Sequence, residues 1–392
     1  MTQKIIQKAD NVITATYTRP SIVIEKGQGC TLWDTDGKAY TDFVAGIAVC
    51  SLGHSHPAIV KALADQAKKL FHVSNLYYTI PQTELAAWLT QHSFADQVFF
   101  CNSGAEANEA AIKIARRYFY KKGEFHRYRI ITAEKSFHGR TMATLSATGQ
   151  DKIKTGFAPI LDGFDYVPFN NLDALKNALE PSVCAVMLEP VQGEGGVILP
   201  DPEYLKAVRK LCDNTGTLLI FDEIQTGIGR TGRLFAYEHF NMEPDIMTLA
   251  KALGNGLPIG AMLTREHVAA AFGPGVHAST FGGTPVITAA ALKTLEVLTQ
   301  ENIINYCAET GEYFKEKLSI LKSNHESIID VRGIGLLIAM ELNIEGAPIV
   351  GECMKKGFLI NCIQGNILRF APPLIITKDE IDALINCLDK IL

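Results

Sequence analysis

Short apolar segments alternate with longer amphipathic ones along the middle of the chain. The apolar segments predict strands at residues 98–101, 129–132, 183–188, 217–221, 246–249 and 259–263. Between them, patterns such as 105–120 and 203–214 repeat their apolar positions at helical spacing. Strands that are apolar on both faces and alternate with helices are typical of a mostly parallel sheet covered on both sides. The pattern therefore predicts an α/β fold whose ligands bind beyond the carboxyl ends of the strands.

The pattern changes after residue 285. A long helical stretch at 286–321 precedes apolar segments at 336–342, 358–361 and 366–370, and a final helix is predicted after Thr377. The first forty residues, with alternation around Trp33 and a turn at Asp36–Gly37, predict strands and loops. We therefore expect an N-terminal segment 1–45 that joins a smaller α+β domain at 286–392, and a large domain at 46–285.

Composition and charge narrow the class of protein. Apolar residues make up 47% of the chain and the formal net charge is −5, with no basic stripe, so we expect no nucleic-acid partner. The apolar segments are too short to cross a membrane, and the polar first eleven residues predict no signal peptide. Nine cysteines without a C-x-x-C pair indicate reduced thiols and a cytoplasmic protein.

Two strand ends carry side chains suited to chemistry. Lys251 follows the strand at 246–249 inside a glycine-rich turn, where lysine is unusual. A desolvated lysine has a lowered pKa and becomes a nucleophile and base, as Schiff-base chemistry requires. Asp222 ends the neighbouring strand and is followed by Glu223, Ile224 and Gln225. By itself Asp222 is as well explained as a helix cap.

A helix start follows the strand at 98–101. Ser103 and Glu106 have the spacing of a capping box, and Gly104 and Ala105 leave the backbone N–H groups accessible to a phosphate. The alternative is a well-capped helix that binds nothing. Amides for a phosphate, a carboxylate for a ring nitrogen and a lysine for an aldehyde are together the groups that pyridoxal 5′-phosphate requires.

Ordered motifs along nearly the whole chain carry a resemblance to a known family. They are TYTRP (16–20), WDTDGKAYTDFVAGIAV (33–49), LGHSHP (52–57), NSGAEANEAAIK (102–113), SFHGRT (136–141), EPVQGEGG (189–196), FDEIQTGIGRTG (221–232), LAKALGNGLPIGA (249–261), HASTFGG (277–283) and LRFAPPL (368–374). The chain resembles class III (ω-type) aminotransferases of the fold-type I pyridoxal-phosphate family. The resemblance implies a large domain with a mainly parallel seven-stranded sheet and a small domain built from both termini.

The resemblance also implies roles around the cofactor. Lys251 would form the Schiff base and move a proton between substrate and cofactor, while Asp222 would pair with the pyridine N–H. The other implied contacts are Gln225 at the phenolic oxygen, Phe137 stacked on the ring, Gly104 and Ala105 at the phosphate, and Glu223 and Ile224 beside Asp222. Thr280 and Ser279 would reach the site of a neighbouring subunit, which implies an obligate homodimer with shared active sites.

Substrate contacts are implied in the same way. Arg140 would bind a substrate carboxylate, and Arg369 the α-carboxylate of glutamate, with Glu194 pairing with Arg369 when the other substrate is present. Tyr17 matches a tyrosine that contacts the substrate carboxylate. Ile47 stands where ornithine aminotransferases have a tyrosine for the free α-amino group, and an apolar residue favours an acylated nitrogen.

These matches lead to one expected reaction and several alternatives. The expected reaction transfers the terminal amino group of N-acetylornithine to 2-oxoglutarate in arginine biosynthesis, giving the semialdehyde and glutamate. The alternatives are succinylornithine, N-succinyl-diaminopimelate, free ornithine or 4-aminobutyrate as amino donor, and a catalytically silent protein that only binds pyridoxal phosphate. Phe281 and Thr284 depart from the family's usual Tyr and Asn.

Other signals receive plainer interpretations. Residues 227–232 match G-x-G-x-x-G, but Asp222 and Glu223 intervene after the strand and would repel a pyrophosphate. His54 and His56 lack further ligands at metal-binding spacing, so we expect no metal. His138 is interpreted as part of the site wall, and Glu189 either as a carboxylate that supports the site or as a structural cap.

Overall fold

The computed structural model describes residues 1–392 as three sheets surrounded by helices. The strands are β1 (Ile24–Gln28), β2 (Thr31–Asp34), β3 (Ala39–Asp42), β4 (Gln97–Cys101), β5 (Arg129–Ala133), β6 (Phe164–Val167), β7 (Val183–Leu188), β8 (Leu218–Asp222), β9 (Ile246–Leu249), β10 (Gly260–Thr264), β11 (Ile328–Ile334), β12 (Leu337–Leu342), β13 (Phe358–Leu359), β14 (Asn361–Ile363) and β15 (Ile367–Phe370). The α-helices are α1 (Thr2–Val12), α2 (Ala45–Ala48), α3 (Pro57–Ala67), α4 (Ile80–Gln91), α5 (Gly104–Lys121), α6 (Met142–Ala147), α7 (Leu172–Ala178), α8 (Tyr204–Thr215), α9 (Glu266–Ala269), α10 (Pro285–Gln300), α11 (Ile303–Asn324), α12 (Ala347–Lys355) and α13 (Lys378–Leu388).

The central sheet has seven strands in the order β4-β10-β9-β8-β7-β5-β6. Strand β10 runs antiparallel to both of its neighbours, and the other four pairings are parallel. Strands β7, β8 and β9 are buried at every position, which matches the residues that are apolar on both faces. The predicted mostly parallel α/β fold is confirmed, and the six predicted strands agree with the observed ones to within one residue.

Helix α5 covers one face of this sheet and illustrates why the local sequence folds as it does. The Ser103 hydroxyl caps the helix by accepting from the Glu106 N–H at 3.2 Å, as the capping-box spacing predicted. The Glu106 carboxylate in turn accepts from the N–H of Asn102 at 2.6 Å. Alanine and isoleucine side chains of α5 pack against β9 and β10. The cap fixes the start of α5 at the carboxyl end of β4.

Two smaller sheets join the ends of the chain. The first has the order β1-β2-β3-β13, in which Thr41 of β3 pairs in parallel with Phe358 of β13. The second has the order β11-β12-β15-β14. Residues from both termini therefore share a sheet beside the central one. No helix combines the length and the apolar character needed to cross a membrane.

Several elements differ from the sequence predictions, including β11, which was not predicted, and the segment 358–361, which is divided between β13 and β14. The predicted helical stretch 286–321 is two helices, α10 and α11, because Asn302 adopts a left-handed conformation with φ 56° between them. Helix α1 was not predicted, since it buries none of its residues and its pattern is largely polar. Strand β6 was also not predicted, since its four residues are interrupted by an aspartate.

Candidate active site

A cavity of about 470 Å³ lies where β4, β5, β7, β8 and β9 end. Its lining comes from the segments that follow these strands: Asn102–Ala105, Phe137–Arg140, Glu189, Asp222 and Lys251 are among the lining residues. The carboxyl ends of parallel strands meet at one edge of a sheet, which is why residues far apart in sequence converge here. The location agrees with the expectation from the strand pattern.

Lys251 directly follows Ala250 at the end of β9. Its backbone has φ 43°, a left-handed conformation that costs free energy for a residue with a side chain and is often found at functional sites. Burial lowers the pKa of the Lys251 amine to about 8, with the positive charge of Arg369 acting in the same direction and Glu194 opposing it. The lysine is therefore about half deprotonated near pH 8, and the neutral fraction is a competent nucleophile and base.

The Asp222 carboxylate at the end of β8 is held by three donors. Its Oδ2 accepts from Asn108 Nδ2 at 2.8 Å and lies 2.7 Å from His138 Nδ1, while its Oδ1 accepts from the Ile224 N–H at 3.1 Å. Thr248 donates to Asn108 Oδ1 at 2.7 Å and so orients the amide with its NH2 toward Asp222. Burial opposes the charged form of His138, but Asp222 outweighs it and raises the pKa of the imidazole. A buried anion is thus fixed at the cavity wall.

The start of α5 forms a second wall. Because the first N–H groups of a helix have no acceptor within it, this end attracts an anion. A Cβ added to Gly104 would lie 2.7 Å from Ile224 Cδ1, so a larger residue would require the Ile224 side chain to move. The helix start therefore lies close to the segment after Asp222.

Glu194, Gln225 and Arg369 form an ion-pair cluster at the other side of the cavity. Arg369 of β15 donates to Glu194 at 2.5 Å and to Gln225 Oε1 at 3.4 Å, and Gln225 donates back to Glu194 at 3.3 Å. Burial alone would raise the pKa of Glu194, yet the charges of Arg369 and Lys251 bring it below its usual value. The Arg369 guanidinium is only 2% exposed, so its charge is compensated mainly by Glu194.

Glu189 links two loops of the site. Its carboxylate accepts from the N–H of Phe137 and from that of Gly193, each at 3.1 Å. Burial raises the pKa of Glu189 to about 7. Arg140 is exposed at the cavity with its guanidinium 5.7 Å from the centre of the Phe137 ring. The loop after β5 therefore presents an aromatic ring and a free cation to the same space.

Six of the sequence-predicted residues do not line this cavity in the single chain: Ser279, Thr280, Tyr17, Ile47, Glu223 and Arg369. Arg369 contacts the lining residues Glu194 and Gln225, whereas the Glu223 carboxylate accepts from the N–H groups of Ala236 and Tyr237 at 2.6 and 2.8 Å. Ser279 and Thr280 line a separate cavity with Asn75 and Leu76, and Tyr17 lies in the exposed N-terminal segment beside Arg19. Ile47 belongs to α2 and is half-exposed; Val49, two residues later, lines the cavity instead. The predicted roles of Ser279, Thr280, Tyr17 and Ile47 are not tested by a single subunit.

Sequence reasoning missed Asn108 and Thr248, which hold Asp222. The sequence does contain one indication of this contact: Asn108 lies on the face of α5 that is otherwise apolar, and a buried amide requires a hydrogen-bond partner. His138 was interpreted only as part of the wall, and its contact with Asp222 depends on tertiary structure. His54 pairs with Asp42 at 2.8 Å, and no group of three or more His, Cys, Asp or Glu residues is placed to hold a metal ion.

Comparisons with known proteins agree with this geometry. Residues 12–392 match the family described as Aminotransferase class-III. An acetylornithine aminotransferase of Caldanaerobacter subterraneus is 52% identical over 378 residues, covering 96% of each chain, and one of Methanocaldococcus jannaschii is 52% identical over 96% of this chain and 94% of its own. The crystal structure of an ornithine aminotransferase from Toxoplasma gondii has a TM-score of 0.96 at 35% identity, covering 100% of this chain and 94% of its own. The chain belongs to the class III aminotransferases.

The residues present fit the cofactor of this family, pyridoxal 5′-phosphate. The cavity holds a lysine of lowered pKa, a fixed carboxylate and the start of a helix at Gly104, and these suit an aldehyde, a protonated ring nitrogen and a phosphate. The expected membership of the class III family, the dependence on pyridoxal phosphate and the transaminase activity are confirmed.

Proposed function

We propose that the protein transfers the terminal amino group of N2-acetyl-L-ornithine to 2-oxoglutarate, giving N-acetylglutamate 5-semialdehyde and L-glutamate in arginine biosynthesis. The observation that carries the proposal is the Glu194–Arg369 pair beside Lys251. An arginine that is paired within the chain can be released for one substrate and covered again for the other. The relatives named acetylornithine aminotransferase support the same substrate.

Each residue of the cavity has a proposed task. Bound pyridoxal phosphate supplies an electrophilic aldehyde and a ring that accepts electrons. Lys251 holds the cofactor through its amine and moves a proton at the substrate carbon that bears the amino group. Asp222 keeps a proton on the ring nitrogen, which the hydrogen bonds from Asn108 and His138 support by fixing the carboxylate. Phe137 would stack on the ring, Glu223 and Ile224 flank Asp222 in the chain, and Gly104 and Ala105 would bind the phosphate.

Two substrates must use the same cavity in turn. Arg369 binds the α-carboxylate of glutamate, which requires Glu194 to move away, whereas acetylornithine leaves the Glu194–Arg369 pair closed. Arg140 binds the remaining substrate carboxylate through its exposed guanidinium. Ile47 favours an acylated nitrogen because an apolar side chain offers an ammonium group no partner. Succinylornithine and N-succinyl-diaminopimelate share the acyl group and are the nearest alternative donors.

The active unit is proposed to be a cytoplasmic homodimer. Exposed apolar side chains cluster at Leu76–Ile80 beside the loop of Ser279, to which Asn75 donates. A second copy covering this surface would bring Ser279 and Thr280, and Tyr17 with them, toward a cofactor that Lys251 of the other subunit holds. Light scattering should give the mass of a dimer, and a monomer that retains full activity would contradict shared sites.

The division into a segment 1–45, a large domain 46–285 and a small domain 286–392 is also kept as a proposal. It is supported by the pairing of β3 with β13, which links the two termini. Limited proteolysis near residues 45 and 285 would test it.

A panel of single half-reactions tests the substrate. Purified holoenzyme should lose its visible cofactor band with glutamate and with acetylornithine, more slowly with succinylornithine, and least with ornithine and 4-aminobutyrate. A faster reaction with ornithine than with acetylornithine would overturn the proposed substrate. A band that responds to none of these amines would overturn the proposed activity.

A further inference from the structure

Arg230 is a buried arginine without a carboxylate partner. Its side chain is 0% exposed, and its only hydrogen bonds run from Nη1 to two backbone carbonyls, Leu336 O at 3.0 Å and Pro372 O at 2.6 Å. Its Nε and Nη2 have no partner in the chain. Burial lowers the pKa of the guanidinium to about 10. Burying a cation without a carboxylate costs free energy, so the presence of Arg230 at this position requires an explanation.

Both carbonyls belong to segments that carry the substrate arginine. Leu336 directly precedes β12, and β12 pairs with β15 so that Ala339 lies opposite Arg369. Pro372 lies three residues after Arg369 on the same segment. The Arg230 guanidinium therefore bonds to the residue before β12, which pairs with β15, and to the segment that follows β15 itself.

The backbone around Arg230 reinforces this contact. Its carbonyl accepts from the Leu336 N–H at 3.1 Å, so Arg230 and Leu336 exchange two hydrogen bonds. A Cβ on Gly335 would lie 2.4 Å from the carbonyl carbon of Thr231, so only glycine allows this approach. The two segments are thus in direct backbone contact.

Arg230 itself stands on the loop that begins at Asp222 and contains Gln225. One end of this loop faces the proposed cofactor site, and Gln225 contacts Arg369 directly at 3.4 Å. We propose that Arg230 is a positioning residue for substrate specificity: it fixes Arg369 relative to the Asp222–Gln225 segment, and so sets recognition of the α-carboxylate of glutamate and 2-oxoglutarate. The inference rests on the proposed role of Arg369. It predicts a larger effect on the binding of glutamate than on the binding of acetylornithine.

The test compares two variants by the KM of each substrate. Arg230→Met removes both hydrogen bonds and should raise the KM for glutamate roughly tenfold or more, because a displaced guanidinium binds a carboxylate poorly. The KM for acetylornithine should change less than threefold by the same reasoning. Arg230→Lys keeps a donor for the carbonyls and should restore part of the loss.

A matched control separates positioning from general stability. Arg209, whose side chain is 16% exposed, pairs with Asp245, but Asp245 precedes β9, at the opposite end of that strand from Lys251. Arg209→Met should lower the melting temperature while leaving both KM values unchanged. An unchanged glutamate KM in a folded Arg230→Met enzyme, or an equal rise for both donors, would overturn the inference.

Two further outcomes are also decisive. If Arg230→Met does not fold, Arg230→Lys alone decides: a selective rise in the glutamate KM supports the inference and an unchanged value overturns it. If the wild type reacts with glutamate but not with acetylornithine, the proposed substrate is wrong, and the comparison is made with whichever terminal amine the enzyme accepts. Failure of the proposed substrate and failure of the Arg230 role are therefore distinguishable.

Discussion

Replacing Glu194 by glutamine removes one negative charge from the pair with Arg369 and keeps the length of the side chain. The two groups are in contact at 2.5 Å, with Arg369 2% and Glu194 29% exposed. Two unit charges about 4 Å apart attract by roughly 4 kcal/mol at an effective dielectric constant of about 20. The glutamine amide keeps a hydrogen bond and water reaches Glu194, so we take about half of this, ~2 kcal/mol, as the net change.

The direction follows from what each substrate requires. Glutamate must displace Glu194 from Arg369, whereas acetylornithine benefits from a closed pair. In Glu194→Gln the displacement costs less, and Arg369 is left poorly paired with acetylornithine. A change of ~2 kcal/mol corresponds to about thirtyfold in the ratio of the two kcat/KM values, in favour of glutamate.

The same change has a second readout at Lys251. The charge of Glu194 raises the pKa of the lysine, so its removal should lower that pKa below about 8. Stopped-flow loss of the visible band, measured with each donor across a pH series, gives both the ratio and the pKa. Glu124→Gln is the matched control, because Glu124 pairs with Arg127 at 3.2 Å and neither residue lines the cavity. A ratio within threefold of wild type, or an equal loss with both donors, would refute the reasoning.

Three further predictions concern the other walls of the site. Capture of pyridoxal phosphate by the apoenzyme should accelerate as pH rises through about 8, because only the neutral Lys251 amine attacks; a pH-independent rate contradicts this. Asn108→Ala should lower kcat roughly tenfold by freeing Asp222, and Thr248→Val should lower it less; wild-type kcat in both variants would show that the carboxylate needs no support. Ile47→Tyr should raise the rate with ornithine relative to acetylornithine in the same half-reaction assay, and an unchanged ratio would remove Ile47 from substrate recognition.

The central sheet was predictable because its strands are buried on both faces. Such strands carry their pattern in the residues themselves, and the cap at Ser103 is equally local, so both were found without tertiary information. Helix α1 buries none of its residues and is mostly polar, so a search for apolar segments did not find it. The break at Asn302 depends on a single φ angle, which apolar periodicity does not encode.

The site residues also divide into those that the sequence pattern predicts and those that depend on tertiary contacts. Lys251 and Asp222 were found because each directly follows a strand, and the ends of parallel strands converge. The contacts of Asp222 with Asn108 and His138 join three segments far apart in sequence. The pairing of Glu194 with Arg369 was expected only from the family resemblance, since no spacing in the chain relates the two residues. For Thr280, the expected role requires a second subunit, so neither the sequence pattern nor one chain tests it.

Residues 222–232 join two tasks on one backbone segment. The carboxylate of Asp222 faces the proposed cofactor site, Gln225 contacts Arg369, and Arg230 holds the segments before β12 and after β15. Asp222 is held separately by Asn108 and His138, whereas Arg230 bonds only to the segments next to Arg369. We therefore expect substitutions at Arg230 to displace Arg369 more than Asp222, and so to change substrate preference without contact between Arg230 and either substrate.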